Sequence, residues 1–194
     1  LAGRNAIREA LIAGRRHFDS VTFAERIDEQ GIIGEILGLC RAAQVPVRQA
    51  PRYELDRLGD ELTHQGIVAR VSDYPYVDLG EILAHAEASS QDPLLLVLDE
   101  LQDPQNVGAL LRTAEAAGVD GVLIASHRAA QITPAVSRAS AGAAEHLLIS
   151  SVTNIARTLQ QLQQRGIWVA GIEERPDAQD YRQADYCRPL ALVL

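Results

Sequence analysis

The second half of the sequence alternates short apolar segments with helical ones, and this pattern restricts the fold more than any other feature. The first apolar segment, Leu94–Leu98, contains no polar residue, which is typical of a strand covered on both faces. Similar segments follow at 121–125, 146–149, 167–170 and 190–194, with helical segments at 104–117, 134–141 and 154–165. This alternation predicts an α/β domain with a mostly parallel sheet, in which ligands bind at the carboxyl ends of the strands.

The first 72 residues predict a smaller α/β unit. Helices are expected at 5–14, 34–43 and 54–60, and strands at 18–24, 45–47 and 67–71. Residues 73–92 contain a Tyr-Pro-Tyr turn, one predicted helix at 79–88 and a polar Ser-Ser-Gln-Asp-Pro stretch. We therefore predict two domains, 1–72 and 93–194, joined by a linker at 73–92.

The composition argues against several classes of function. The chain has 194 residues, of which 47% are hydrophobic, and a net charge of −8, which is typical of a globular domain and not of a non-specific DNA coat. No apolar run approaches about 20 residues and no basic-then-apolar leader opens the chain, so we expect a cytoplasmic protein without a membrane anchor. Two distant cysteines and five scattered histidines predict neither a disulfide scaffold nor a metal site.

The most basic stretch of the chain is its amino end. The first sixteen residues hold Arg4, Arg8, Arg15 and Arg16, with Glu9 as the one acidic residue. A local patch of arginines can bind a phosphate strand even when the rest of the surface is acidic. These four arginines are therefore candidate RNA contacts.

The segment after the first buried strand carries the strongest chemical signal. Asp103 followed by Pro104 is typical of a helix start, with the aspartate as the N-cap and the proline in the first turn. Apolar residues recur at i, i+3, i+4 and i+7 from Val107, which predicts a buried stripe. Gly108 weakens such a helix by about 1 kcal/mol relative to alanine, which suggests close approach by another backbone or by a ligand.

Asn106 and Arg112 are the candidate catalytic residues on this helix. Asn106 lies in the first turn of the predicted helix, where backbone N–H groups and the helix dipole favour anions. Arg112 follows six residues later, roughly 9 Å along the helix axis, which a long side chain can span. Taken singly, Asn106 could only assist the helix start, and Arg112 could pair with Glu115 at the surface. Both interpretations stay open at this point.

The stretch Asp-Pro-Gln-Asn-Val-Gly-Ala-Leu-Leu-Arg-Thr-Ala at 103–114 resembles the first motif of the SpoU branch of the SPOUT RNA methyltransferases. Three further stretches are similar to sequences of the same family: Gly-Arg-Asn-Ala at 3–6, His-Gln-Gly-Ile at 64–67 and Ser-Ala-Gly-Ala-Ala at 140–144. The similarity spans nearly the whole chain. Within the branch it is greatest to the 23S ribosomal RNA guanosine-2′-O-methyltransferases.

The resemblance implies an L30e-like substrate-binding domain followed by a Rossmann-like SPOUT domain with a trefoil knot, an exception to unknotted topology. It also implies S-adenosylmethionine as methyl donor, a ribose 2′-hydroxyl as acceptor, and a homodimer whose interface forms the site. Asn106 and Arg112 match the family's active-site Asn and Arg. The family's Gly-x-Glu-x-x-Gly and Ser/Asn-rich motifs do not occur up to Leu194, so we expect further residues to complete the cofactor pocket and the knot.

The resemblance also directs attention to the ends of the last two strands. There we expect the backbone of Gly171, Ile172, Leu192 and Leu194 to contact S-adenosylmethionine. His64 precedes a turn, where it could either cap the turn or contact RNA.

The functional prediction is S-adenosylmethionine-dependent 2′-O-ribose methylation of structured RNA, with a guanosine of 23S rRNA as the target. Arg112 is a reluctant base, so we expect it to clamp a phosphate and stabilise the developing alkoxide, while Asn106 orients Arg112 or the ribose. Three alternatives remain: a tRNA methyltransferase of the same family, a non-catalytic RNA-binding protein of the same fold, and an unrelated α/β enzyme acting on a nucleotide or an acid.

Overall fold

A computed structural model describes residues 1–59, 62–176 and 178–194 of the chain, which form two compact units. The first unit comprises Leu1–Pro75, Pro104–Arg112 and Ile132–His146. The second unit comprises Tyr76–Asp103, Thr113–Gln131 and Leu147–Leu194. The first unit thus includes two segments of the second predicted domain, and the domain boundaries at residues 72 and 93 stay predictions.

Helices and strands alternate along most of the chain. The first six elements are α1 (Arg4–Ala13), β1 (Phe18–Ala24), α2 (Ile32–Ala42), β2 (Val47–Ala50), α3 (Arg52–Leu58) and β3 (Ile67–Val71). The next five are α4 (Leu79–Ala88), β4 (Leu94–Leu98), α5 (Pro104–Ala116), β5 (Gly121–Ala125) and α6 (Pro134–Ala139). The last four are β6 (Ile149–Val152), α7 (Ile155–Gln164), β7 (Trp168–Gly171) and β8 (Leu190–Val193). Short 3-10 turns lie at Ala143–Glu145 and Tyr181–Gln183.

The first unit contains a three-stranded sheet in the order β2-β1-β3. β1 runs parallel to β2, with Val21 opposite Val47, and antiparallel to β3. Ile7 of α1 and Ile36 of α2 belong to one buried cluster with Phe23 of β1. The amphipathic helices therefore bury their apolar faces against the strands of this sheet.

The second unit contains a five-stranded sheet in the order β6-β5-β4-β8-β7, in which every pair is parallel. Leu96 of the central strand lies opposite Val122 of β5 and Leu192 of β8. Four of the five residues of β4 are buried, as its continuous apolar sequence predicts. The predicted α/β class and parallel sheet are confirmed.

Two strands of the second unit begin later than predicted: β7 starts at Trp168 instead of at 167, and β6 differs more. β6 starts at Ile149 instead of at 146, because residues 143–145 form a 3-10 turn that ends at His146. Ile149 then pairs with Val122, and the strand continues to Val152. The polar residues Ser150 and Ser151 therefore lie inside the strand, which the apolar pattern did not reveal.

Elements of the first unit are also displaced: α1 starts at Arg4 instead of at 5, and α2 starts at Ile32 instead of at 34. β2 spans Val47–Ala50 instead of 45–47, because its pairing with β1 continues through polar residues as far as Ala50. α3 starts at Arg52, directly after Pro51, and ends at Leu58. The predicted end of this helix at Asp60 lies outside the described residues.

The described helices are short, and α5 with its 13 residues is the longest of them. None of them combines the length and the apolar character that crossing a membrane requires. Within the described ranges, no three His, Cys, Asp or Glu side chains are arranged to hold a metal ion.

Helices α5 and α6 make a close contact at Gly108. A β-carbon built on Gly108 would lie 2.4 Å from Cβ of Ala139, 2.7 Å from the carbonyl carbon of Ala139 and 2.8 Å from the backbone nitrogen of Ser140. Two of these atoms belong to the backbone and cannot rotate away. The sequence left open whether a backbone or a ligand approaches Gly108, and the structure shows that a backbone does.

Gly108→Ala is therefore expected to destabilise the protein by about 1–3 kcal/mol, because the added methyl group must push α5 and α6 apart. Gly38→Ala is a matched control, since Gly38 is also helical but a β-carbon there would meet no atom within 4 Å. This control is expected to stabilise the protein by about 0.5–1 kcal/mol through helix propensity. Urea unfolding of both variants checks the opposite signs. A Gly108→Ala variant as stable as the unmodified protein contradicts the packing argument.

Candidate functional site

Asn106 and Arg112 are both exposed on α5. Asn106 is the third residue of the helix, and the apolar stripe on its other side buries Val107 and Leu111. Six helical residues correspond to about 9 Å along the axis and about a third of a turn around it. The helix therefore presents a short amide and a long cation to solvent on neighbouring sides.

Arg112 differs from Asn106 in its contacts. Asn106 takes part in an interaction within the protein. Arg112 makes no hydrogen bond or ion pair through its side chain to any of the described residues, and the alternative pair with Glu115 does not form there. The guanidinium of Arg112 is therefore available to an anionic ligand.

The four candidate cofactor residues lie at the carboxyl ends of two adjacent strands. Gly171 of β7 pairs with Val193 of β8, and the N–H of Ile172 donates to the carbonyl of Val193 at 2.9 Å. Leu192 and Leu194 are half-buried, while Gly171 and Ile172 are exposed. The structure thus brings these four residues together in the second unit.

Arg16 and Glu145 form a buried ion pair in the first unit. Nε of Arg16 donates to Oε2 of Glu145 at 2.7 Å, and Nη2 donates to Oε1 at 2.9 Å. The two side chains are 5% and 1% exposed, so solvent ions screen the pair little. The guanidinium of Arg16, predicted to contact RNA, is therefore buried and bonded within the protein.

Tyr74 packs against the guanidinium groups of Arg15 and Arg16, and these three residues form a cluster with Glu145. The Arg15 and Arg16 side chains lie over the ring, 5.6 and 5.1 Å from its centre, in the range of cation–π contacts. The Tyr74 hydroxyl donates to the carbonyl of Ala144 at 2.9 Å. Arg15 donates to the Tyr74 hydroxyl at 3.3 Å and to the carbonyl of Pro75 at 3.0 Å. Arg15, also predicted to contact RNA, therefore makes its contacts inside this cluster.

Two buried serines tie helix α6 to Glu145. The Ser137 hydroxyl donates to Oε1 of Glu145 at 3.1 Å. The Ser140 hydroxyl donates to the carbonyl of Ser137 at 3.0 Å and accepts from the N–H of Ala144 at 3.4 Å. The Ser-Ala-Gly-Ala-Ala stretch at 140–144 therefore holds the 3-10 turn and α6 together.

Arg4 and Arg8 lie on α1 with partly exposed side chains. Nε of Arg4 donates to the carbonyl of Gln65 at 3.2 Å, and Nε of Arg8 donates to Glu9 at 2.9 Å. Contacts of this kind near solvent contribute little free energy, so a phosphate can replace them. The RNA contacts of Arg4 and Arg8 stay predictions.

His64 is buried, with only 4% of the residue exposed. Nδ1 accepts a hydrogen bond from the N–H of Gly66 at 3.0 Å, and Nε2 lies 2.9 Å from a carboxylate oxygen of Asp56. Because Nδ1 accepts a hydrogen bond, we assign the ring proton to Nε2, which then donates to Asp56. The imidazole, predicted either to cap the turn or to contact RNA, is therefore buried and bonded to the backbone of this turn.

Sequence reasoning did not select Glu145 as a functional residue. The residue follows the 140–144 stretch directly, but a single Glu beside a short apolar segment carries no signal of burial. The sequence places Tyr74 in the Tyr-Pro-Tyr turn but does not reveal its contacts with Arg15 and Arg16. The one available hint was the pair Arg15-Arg16 after α1, since two adjacent cations need anionic partners when they are buried.

Burial raises the pKa of Tyr74 to about 12, although the Arg15 charge and its hydrogen bond oppose the change. The unfolded chain releases this proton near pH 10.0 and the folded protein near 12. We therefore expect the protein to lose about 3 kcal/mol of stability from this group as the pH rises between these values. Tyr74→Phe should remove that part of the pH dependence, as measured by urea unfolding from pH 8 to 12.

Tyr53→Phe is the control for this experiment, because Tyr53 is 74% exposed and its replacement should leave the alkaline slope unchanged. An alkaline slope that is the same in Tyr74→Phe and in the unmodified protein contradicts the assignment.

Two family models together match nearly the whole chain. The model described as the SpoU rRNA Methylase family matches residues 93–194. The model described as RNA 2′-O ribose methyltransferase substrate binding matches residues 1–77.

Curated relatives match along the full length of the chain. YacO of Bacillus subtilis strain 168, assigned by name to the TrmH family of tRNA/rRNA methyltransferases, is 38% identical over 192 residues, which are 99% of this chain and 76% of YacO. A protein of Staphylococcus saprophyticus assigned to the same family is 37% identical over 194 residues, which are 100% of this chain and 76% of that protein.

Solved structures share the fold. The SpoU methyltransferase AviRb from Streptomyces viridochromogenes, in complex with AdoMet, has a TM-score of 0.76 at 22% identity, covering 100% of this chain and 71% of AviRb. The AdoMet-bound rRNA methyltransferase from Sinorhizobium meliloti has a TM-score of 0.77 at 21% identity, covering 100% of this chain and 68% of that enzyme. One family model covers the second half of the chain, another covers the first half, and relatives match along its whole length. The chain therefore belongs to the SpoU rRNA methylase family.

Proposed function

We propose that the protein transfers the methyl group of S-adenosylmethionine to a ribose 2′-hydroxyl of structured RNA, and that the target is a guanosine of 23S rRNA. The observation that carries the proposal is the motif at 103–114, which exposes Asn106 and Arg112 on neighbouring sides of α5. The family model over residues 1–77 supports the 2′-hydroxyl as acceptor, since its description names RNA 2′-O ribose methyltransferases.

Arg112 is proposed to bind an RNA phosphate and to stabilise negative charge on the attacking oxygen. A ribose hydroxyl is a poor nucleophile, and it becomes effective only as it gives up its proton, which passes to solvent water at this exposed side of α5. The arginine stays protonated, with a pKa above about 12, so it acts through its charge and its fork of N–H donors. Preorganised donors of this kind stabilise charge that develops during the reaction.

Asn106 is proposed to orient the ribose or the Arg112 side chain. Its amide can donate and accept, so it can hold a hydroxyl in one direction. Near the first turn of α5, the helix dipole adds a favourable field for the anionic backbone of RNA. Holding the acceptor oxygen in line supplies much of the acceleration without a nucleophilic side chain.

S-adenosylmethionine is proposed to bind at the ends of β7 and β8. When bound, it supplies a methyl group activated by a sulfonium. The residues present fit such a ligand: Ile172 is 54% exposed, Leu192 and Leu194 add apolar surface, and a β-carbon on Gly171 would meet no atom within 4 Å. An open glycine flank beside apolar residues suits the adenosine and aliphatic parts of the cofactor. AviRb and the Sinorhizobium meliloti enzyme were both solved with AdoMet.

The RNA is proposed to be held by the N-terminal domain at residues 1–72, with Arg4 and Arg8 contacting phosphates. We further propose a homodimer, which the family resemblance implies, and a cytoplasmic location, which the composition favours. The molar mass of the full-length protein in solution, measured by light scattering, tests the dimer directly.

A tRNA target is the second candidate, because the relatives in Bacillus and Staphylococcus are named for both tRNA and rRNA. Parallel assays with 23S rRNA and total tRNA separate the two. A non-catalytic RNA-binding protein would bind RNA and transfer no methyl group to either, and an unrelated α/β enzyme would bind neither RNA.

Arg112→Ala is expected to lower methyl transfer to 23S rRNA by about 100-fold or more, the usual cost of losing one preorganised charge-stabilising donor. RNA binding should weaken by less than about 10-fold, because the rest of the RNA surface is intact. Transfer of radiolabel from S-adenosylmethionine and filter binding of RNA measure the two effects separately.

Arg165→Ala is the matched control, since Arg165 is an exposed arginine on the surface that pairs only loosely with Glu87 at 3.8 Å. It should retain the activity of the unmodified protein. Unchanged methyl transfer by Arg112→Ala would overturn the role assigned to this residue.

A further inference from the structure

We propose that Glu145 is a positioning residue for methyl transfer: it holds helix α6 in place, and α6 sets where α5 presents Asn106 and Arg112. This inference rests on the proposed function, because it takes those two side chains as catalytic. Glu145 is 1% exposed, so it cannot contact a ligand at the surface. Every residue in the chain of contacts belongs to the first unit.

The first step runs from the loop after α1 to Glu145. Arg16 lies between α1 and β1, and its Nε and Nη2 bind the two oxygens of Glu145 separately. Nη1 also donates to the carbonyl of Ser72 at 3.2 Å. A bidentate ion pair between a planar guanidinium and a planar carboxylate fixes the relative orientation of the two groups as well as their distance. The carboxylate is therefore held in one orientation relative to the sheet of the first unit.

The second step runs from Glu145 to α6. Oε1 of Glu145 accepts from the hydroxyl of Ser137, a buried residue in the middle of this six-residue helix. The 3-10 turn at Ala143–Glu145 is tied back to α6 through Ser140. The position of α6 is therefore set by hydrogen bonds with defined geometry.

The third step runs from α6 to α5. At Gly108 the two helices are in contact through backbone atoms and the Ala139 methyl group, so no long side chain can absorb a shift. Asn106 lies two residues before Gly108, and Arg112 lies four residues after it, one helical turn away. A displacement of α6 is therefore passed to both proposed catalytic side chains.

The chemistry of the cluster favours positioning over simple stabilisation. Apolar residues of similar volume often stabilise a fold as well as a buried ion pair does. A charged network with every partner in place specifies one arrangement, because any other leaves a buried charge unsatisfied. Methyl transfer to an aligned hydroxyl needs that kind of precision, since a misplacement of about 1 Å can cost 100-fold in rate.

Glu145→Gln in the full-length protein tests the inference, because the amide keeps the size of the side chain and removes its charge. At a temperature below its unfolding transition, we expect kcat to fall by about 10-fold or more, and KM for RNA to stay within about threefold. A merely stabilising role would lower the melting temperature and leave kcat of the folded protein unchanged. Glu87→Gln, from the exposed pair with Arg165, is the control that should change neither.

Ser137→Ala is a milder variant for the case in which Glu145→Gln does not fold. It removes the direct hydrogen bond from α6 to Glu145, together with the one that Ser137 accepts from Nη2 of Arg16 at 3.4 Å, and leaves the ion pair between Arg16 and Glu145 in place. We expect a smaller fall in kcat, about threefold, again without a change in KM. Because both variants act through one network, the combined loss should be less than the product of the single losses.

Hydrogen exchange gives a measurement that does not depend on activity. Glu145→Gln and Ser137→Ala should speed amide exchange in residues 104–112, and Glu87→Gln should not. Unchanged exchange in this segment, or a change in KM alone, overturns the positioning role. If the unmodified protein methylates no RNA, the proposed function fails, whereas active protein with unaltered kcat in both variants refutes only the present inference.

Discussion

The buried ion pair between Arg16 and Glu145 is the contact on which the first unit depends. Removing two charges from water is costly, and loss of one partner of such a pair typically costs about 3–5 kcal/mol. The pair is stable here because each guanidinium nitrogen finds an acceptor, and because the ring of Tyr74 lies against the cation. The segment after α1 and the 3-10 turn after α6, 129 residues apart, are thereby held in one geometry.

The backbone architecture follows largely from local patterns. β4 and β5 have the predicted limits, because an apolar run between turn residues in a parallel sheet needs no information from distant contacts. β6 does not, because Ser150 and Ser151 are drawn into the strand by pairing with β5. The limits of β6 are therefore set by its pairing with β5 and not by the apolar pattern of its own sequence.

Side-chain roles were predictable only where the backbone itself imposes them. Gly108 could be singled out, since a glycine within an otherwise good helix needs a reason. Arg16 and Arg4 could not be told apart, because one arginine is buried by a carboxylate more than a hundred residues later and the other stays near solvent. His64 was assigned two roles, and only its burial beside Asp56 and Gly66 distinguishes them. Long-range partners, not residue type, separate structural from functional charges.

The family, the fold and the exposed residues Asn106 and Arg112 support the proposed methylation of a ribose oxygen, for which we propose 23S rRNA as the substrate. The most direct measurement is to incubate the full-length protein with 23S rRNA and radiolabelled S-adenosylmethionine, and then to digest the RNA to nucleosides. We expect the label to appear in 2′-O-methylguanosine, the product of the proposed reaction. Label in a methylated base, or in no nucleoside while the RNA stays bound, would contradict it.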